Sequence, residues 1–311
     1  MPIRIPDSLP ATSVLEGENI FVMTEHRALH QDIRPLNLLI LNLMPTKIVT
    51  ETQLLRKLSN TPLQINVHLL KTISHTAQNT DSQHLDSFYT TFEQVRENRY
   101  DGMIITGAPV ENLDFEDVDY WEELCQIMEW TKTHVHSTLH ICWGAQAALY
   151  YYYGIEKRLL PAKLFGIFEY QLTQKHHPLL RGFDDRYFIP QSRHTAINDI
   201  QVYNTPQLDI LSRSVENGIN IIGTPDHRRF FVLGHFEYDR RTLEEEYLRD
   251  KKKGLPIAVP KNYYPGDNDT KQPYFTWCSY AHLFYHNWLN IVYQETPYDL
   301  QAIAKVHPCA H

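Results

Sequence analysis

From Leu38 to Tyr153 the chain alternates between buried-strand and helix patterns, and this restricts the fold more than any other feature. Leu38 to Met44 is an apolar run broken by Asn42 and reads as a buried strand. Thr46 to Leu58 has helical spacing, and Leu63 to Leu70 reads as a strand. Leu85 to Val95 reads as a helix, Gly102 to Thr106 as a strand and Val118 to Thr131 as a helix. Strands separated by helices pair in parallel, and right-handed crossovers lay the helices on both faces of the sheet. The pattern therefore predicts an α/β fold with a doubly wound, mostly parallel sheet. The loops that follow the strands then share one edge, where such folds bind ligands.

The alternation ends at an unusual corner. Leu139 to Cys142 reads as a short strand, and an Ala-, Gln- and Leu-rich helix starts at Trp143 and runs to about Tyr153. A cysteine at a strand-to-helix corner is pushed out of the sheet, and the positive end of the helix dipole favours its thiolate. That is the geometry of a nucleophile elbow. The alternative is a buried structural thiol, since free cysteine packs as a small hydrophobe. A partner lies downstream in Phe230–Tyr238, a strand ending in His-x-Glu. Residues two apart in an extended chain point to the same side, so His235 and Glu237 leave that strand together. His235 can act as a base and Glu237 can fix its tautomer. His-x-Glu can also bind metal, but no tight cluster of further ligands accompanies it, so no metal is expected. Each motif is weak alone; Cys142 followed by His235-x-Glu237 points to thiol acyl chemistry.

Past Tyr153 the pattern changes. Phe165 to Leu172, Arg186 to Pro190, Leu208 to Ser212, Ile219 to Thr224 and Arg229 to Phe236 read as strands without long helices between them. This predicts an antiparallel extension of the same sheet or an added layer. Arg241 to Lys252 reads as a charged helix and Ser279 to Val292 as a helix with an aromatic face. The expected organisation is an arm over residues 1–35 packed on the domain, a single α/β domain over 36–300 and a tail over 301–311. The net charge of −8 argues against nucleic acid as a partner. No apolar run reaches transmembrane length, and Met1 to Leu36 has no signal-peptide core. The four cysteines are scattered without a CxxC pair, which suits a reducing cytoplasm.

Two loops should lie near Cys142: Met44 to Lys47 and Thr106 to Asn112. Backbone amides of the Gly107 turn, with that of Trp143, could bind an oxyanion. Lys47 could add positive charge there or be an ordinary lysine at a helix start. Glu111 would be a carboxylate at the mouth of the site or a solvated loop residue. On the charged helix, Glu246 and Arg249 share a face. Spacing alone favours an ordinary ion pair; the sharper reading is recognition of the ammonium and carboxylate of an amino acid.

These residues carry a resemblance. His140–Gln146, Gly234–Tyr238, Met23–Arg27 and Leu43–Lys47 resemble the homoserine O-acyltransferase family of methionine biosynthesis, over about residues 1 to 300. That family is similar to class I glutamine amidotransferases, with their doubly wound sheet and the order Cys, His-x-Glu. Their elbow usually has glycine two residues before the cysteine, where this chain has His140, a departure that points away from glutaminase activity. The resemblance implies that Cys142 is the acyl-thioester nucleophile, His235 the proton acceptor and Glu237 the third member. Lys163, Ser192 and Arg249 match positions used for homoserine. At position 111 an acid goes with acetyl-CoA and glycine with succinyl-CoA. Glu111 therefore implies an acetyltransferase acting on L-homoserine, with succinyltransfer or thiol hydrolysis as the alternatives. The resemblance further implies a cytoplasmic homodimer that needs no cofactor beyond the acyl-CoA co-substrate.

Overall fold

The computed structural model of the chain describes residues 3–5, 22–24, 34–74 and 82–306. Most of the expected arm, and the end of the expected tail, lie outside the described residues. So do Glu25, His26 and Arg27 of the quoted Met23–Arg27 motif. Strands β1 (Ile3–Ile5) and β2 (Val22–Thr24) pair in parallel. The main sheet has ten strands. Its first six in chain order are β3 (Leu36–Leu41), β4 (Ile65–Leu70), β5 (Tyr89–Thr90), β6 (Tyr100–Ile105), β7 (Val135–Ile141) and β8 (Lys157–Leu172). The others are β9 (Arg186–Ile197), β10 (Asp209–Ser214), β11 (Gly218–Gly223) and β12 (Arg229–Val232). Their order across the sheet is β5-β4-β3-β6-β7-β12-β11-β10-β8-β9. Neighbours from β5 to β12 run parallel. Those from β12 to β9 run antiparallel. Of the two expectations for the C-terminal half, the extension of one sheet is therefore the one realised.

The apolar runs follow from burial on both faces, which removes any need for polar alternation. In β3, Leu38 and Ile40 enter one core while Leu39 and Leu41 enter the other. In β12, Phe230 and Val232 face the first core and Phe231 the second. Helix α1 (Lys47–Leu58) closes the first core with Leu54 and Leu58. On the opposite face lie α2 (Trp121–His134), with Leu124 and Ile127, and α3 (Trp143–Tyr153), with Ala145 and Leu149. Helix α4 (Thr242–Lys252) follows β12, and α5 (Cys278–Glu295) adds Phe284 and Trp288 to the first core. Because β3 lies between β4 and β6, the chain reverses its direction of growth there, and the loops after β3, β6, β7 and β12 gather at one edge.

Several segments differ from expectation: β7 starts at Val135, β8 starts at Lys157 and β9 runs on to Ile197, and two further departures have local causes. The helix expected over Leu85 to Val95 is two short helices, Ser82–Phe88 and Phe92–Val95, separated by β5. Tyr89 turns inward, where its hydroxyl donates to Glu51 at 2.6 Å, and Thr91 with Gln94 forms a capping box that starts a new helix. The strand expected to reach Phe236 stops at Val232. Beyond it, Leu233 N donates to Asn220 O and His235 N to Pro190 O, both at 2.9 Å, so the backbone leaves the β7 ladder.

The close approach of α3 to the loop after β6 depends on Gly144. A Cβ there would lie 2.5 Å from the Thr106 carbonyl oxygen and 3.1 Å from that of Ile105. Gly144→Ala should lower stability by about 1–3 kcal/mol through overpacking, despite alanine's better helix propensity. A urea titration with unchanged slope and a lower midpoint is the expected result. An unchanged or higher midpoint would contradict this packing.

Candidate active site

Cys142 joins β7 to α3 with φ 51° and ψ −116°, a left-handed conformation uncommon for a residue with a side chain. Its N–H donates to Val232 O at 2.7 Å, and its carbonyl accepts from Ala145 N and Gln146 N. The corner is thus locked from the β12 side and from the helix. The strain of such a residue, about 1–3 kcal/mol, persists where the surroundings over-determine it. The thiol is buried. A Cβ on Gly107 would lie 3.2 Å from Cys142 Cβ and 3.7 Å from Trp143 N, so the Gly107 turn packs beside the Cys142 side chain and the Trp143 amide.

His235 and Glu237 lie in the turn after β12, yet they face the same way. His235 Nδ1 is 2.6 Å from Glu237 Oε1, and the imidazole is hydrogen-bonded to Cys142. All three residues are buried. Burial lowers the pKa of His235, but Cys142 and Glu237 together more than offset this and hold it well above the ordinary histidine value. The imidazolium is therefore the favoured form between these two partners. A narrow cleft beside the trio is lined by Met44, Thr106, Gly107 and the Gln53 face of α1.

A second cluster adjoins the trio. Tyr238 stacks on His235 with ring centroids 4.1 Å apart, and its hydroxyl donates to Glu246 Oε1 at 2.7 Å. Burial and the Glu246 carboxylate hold the Tyr238 phenol well above its ordinary pKa, so it remains a donor. Glu246 Oε2 accepts from Ser192 Oγ and lies 3.5 Å from Lys163 Nζ. Lys163 is also 3.7 Å from Asp250 Oδ2, and Arg249 Nε donates to Asp250 Oδ1 at 2.7 Å. Lys163, Ser192, Glu246 and Arg249 thus come together on β8, β9 and α4. Arg249 pairs with the neighbouring Asp250 instead of forming the Glu246–Arg249 pair that spacing suggested. Tyr238 and Asp250 were missed. Tyr238 stands inside the His235-x-Glu237-Tyr238 motif, and only its position next to the base could have drawn attention to it.

Glu111 is not a freely solvated loop residue. Its Oε2 accepts from His194 N at 2.8 Å, Thr195 N at 3.2 Å and Thr195 Oγ1 at 3.1 Å. Thr195 Oγ1 also lies 2.8 Å from Gln146 Oε1 on the first turn of α3, so its one hydroxyl hydrogen is shared between the two acceptors. Lys47 is tied to the loop after β3. Its ammonium donates to Asn42 O at 2.5 Å and lies 3.5 Å from Met44 O, and burial pushes its pKa down to about 8. Those loop carbonyls compensate for a cation at a helix start. Among the described residues no group of three or more His, Cys, Asp or Glu could hold a metal ion, and no helix is long and apolar enough to cross a membrane.

Residues 2–298 match the homoserine O-succinyltransferase family. A homoserine O-acetyltransferase from Brevibacillus brevis is 57% identical over 301 residues, covering 96% of this chain and 98% of that protein. One from Clostridium novyi is 58% identical over 300 residues, covering 96% and 99%. Among solved structures, a glutamine amidotransferase from Thermotoga maritima superposes with a TM-score of 0.56 at 11% identity, covering 84% of this chain and all of that one. A glutamine amidotransferase from Methylobacillus flagellatus gives 0.53 at 13% identity, covering 83% and 95%. At such identities these structures show a shared fold alone.

The electrostatics of the trio can be tested by titration. Cys142→Ala removes a partner that raises the His235 pKa and leaves burial in place, so that pKa should fall. Glu237→Gln should also lower it. NMR of isotope-labelled histidine across a pH series would measure both. An unchanged value in Cys142→Ala would separate the thiol from the imidazole.

Proposed function

The chain belongs to the homoserine O-succinyltransferase family, and we propose that it is a homoserine O-acetyltransferase, transferring acetyl from acetyl-CoA through a Cys142 thioester to L-homoserine. The observation that carries this reading is the connection of the buried Cys142–His235–Glu237 trio, through Tyr238, to the Lys163–Ser192–Glu246 cluster. A hydrolase needs only the first; a transferase with an amino-acid acceptor needs both.

The reaction is ping-pong. The Cys142 thiolate attacks the thioester carbonyl, and the oxyanion forms beside the amides of Trp143 and the Gly107 turn. The tetrahedral intermediate collapses, CoA leaves as its thiol with the proton from His235, and acetyl-Cys142 remains. Homoserine then enters with its carboxylate toward Arg249 and Lys163 and its ammonium toward Glu246. Neutral His235 takes the γ-hydroxyl proton as that oxygen attacks the acyl carbon, and Glu237 stabilises the resulting imidazolium. Collapse returns the thiolate and releases O-acetyl-L-homoserine. The residues require no metal or further cofactor for these steps. The working form is a cytoplasmic homodimer in methionine biosynthesis.

Glu111 sets the donor. Three hydrogen bonds hold its carboxylate in place, so the charge cannot swing aside when a second carboxylate approaches. Two unit charges about 4 Å apart repel by roughly 4 kcal/mol at an effective dielectric of about 20. Half of that corresponds to a preference of roughly 30-fold. Wild type should therefore favour acetyl-CoA over succinyl-CoA, and Glu111→Gly should narrow the gap. Initial rates with both donors and homoserine decide it. A wild type that prefers succinyl-CoA would replace the acetyl reading with the succinyl one.

Arg249→Ala should raise the homoserine KM while leaving acetylation of Cys142 unchanged, because the acceptor carboxylate is absent from the first half-reaction. Intact-mass measurement after mixing with acetyl-CoA reads that half separately. Equal losses in both halves would make Arg249 a structural partner of Asp250.

A further inference from the structure

A wide cavity lies outside the trio. Its volume is about 950 Å3, and it opens between β8 and the loop 256–261. Both walls are fixed. Between its pairings with Thr195 and Arg193, β8 advances from Leu159 to Leu164 while β9 moves back two residues, so Leu160–Lys163 swing out as a bulge. The facing loop is docked on β8: Lys261 N donates to Phe165 O at 3.0 Å, and Ile167 N to Lys261 O at 2.8 Å. Gly166 permits this, since a Cβ there would lie 2.3 Å from Lys261 O.

The cavity's chemistry is mixed. Leu164, Ile257 and Val259 give it an apolar floor, and the exposed cations Arg158 and Lys261 stand at its rim. Asp199 and Glu216 lie on the remaining side, where Asp199 accepts a hydrogen bond from the Ile219 backbone. One lining residue, Lys163, also faces the acceptor cluster 3.5 Å from Glu246. The cavity therefore adjoins the reaction centre through the sequence Lys163, Glu246, Tyr238, His235.

We infer that this cavity seats the phosphorylated adenosine end of the acyl-CoA donor, its base on the apolar floor and its phosphates against Arg158 and Lys261. The inference rests on the acyl-CoA reading above. A donor with a large polyanionic end needs a site beside, not within, the narrow cleft at the trio. This cavity has the volume for it and carries cations on a chain whose net charge is −8. The pantetheine arm would then pass Lys163 to reach Cys142.

The test compares two donors in the full-length enzyme. Acetyl-CoA carries the phosphorylated nucleotide; S-acetylpantetheine lacks it. Arg158→Glu/Lys261→Glu should raise the KM for acetyl-CoA by about tenfold or more, the loss of at least one charge-assisted phosphate contact, and leave that for S-acetylpantetheine unchanged. Both side chains are exposed, so charge reversal leaves the core intact. Calorimetry with adenosine 3′,5′-bisphosphate should show binding to wild type that the double variant loses. Equal shifts for both donors, no shift for either, or undiminished bisphosphate binding would overturn the site. Failure of wild type to acetylate homoserine from either donor would overturn the transferase reading and the inference with it.

Discussion

The structure depends on one strained corner. Cys142 adopts a positive φ because the chain must turn from β7 into α3 within a single residue, and that turn holds the thiol above the sheet edge. The corner is affordable because its neighbours have no room to relax. Gly144 packs against the Thr106 carbonyl, Gly107 packs against the Cys142 side chain, and Val232 takes the Cys142 N–H. The same close contacts bring the Trp143 amide and the Gly107 turn to one point. A larger residue at either glycine would move the Trp143 amide as well as the Cys142 thiol, so the backbone strain and the placement of these groups are parts of one arrangement.

The antiparallel half of the sheet completes what the parallel half begins. The parallel strands deliver the Cys142 corner, the Gly107 turn and the His235 turn to a common edge. Lys163 and Ser192 come from β8 and β9, at the far side of the sheet, and Glu246 comes from α4. Tyr238 spans the two sets by stacking on the base and bonding to the acid. A single ring thus separates Glu246 from His235. Glu111 makes a similar link on the other side, from the loop after β6 across β9 to Gln146 on the elbow helix.

The strand–helix alternation, the elbow and the His235–Glu237 pair were legible because each is local. Periodicity reports burial within a few residues, and His235 and Glu237, two apart, still meet although the strand has ended. The other contacts are long-range, and no spacing rule could supply them. Ser192 meets Glu246 across 54 residues, and Glu111 meets Thr195 across 84. Arg249 shows the opposite failure: an i, i+3 rule suggested Glu246, while the adjacent Asp250 captured the guanidinium. The break at Tyr89 was hidden because its cause, the buried Glu51, lies on another helix.

His140 carries a different lesson. In the sequence, its departure from the glycine of the amidotransferase elbow points away from glutaminase activity. In the structure His140 is fully buried and stacks on Phe231 with ring centroids 5.1 Å apart. Burial drives its pKa down to about 3, so it packs as a neutral ring within β7. The substitution is therefore a core contact and does not itself line the pocket. Discrimination between water and an amino-acid acceptor has to come from groups that reach the reaction centre, and Glu246 with Tyr238 has that position. A carboxylate one hydrogen bond from a ring stacked on the base can reward a bound ammonium in the transition state, whereas water offers it no charge to bind. On the proposed reading, what favours transfer over hydrolysis is the Lys163–Ser192–Glu246 cluster joined to His235 through Tyr238, and not the elbow.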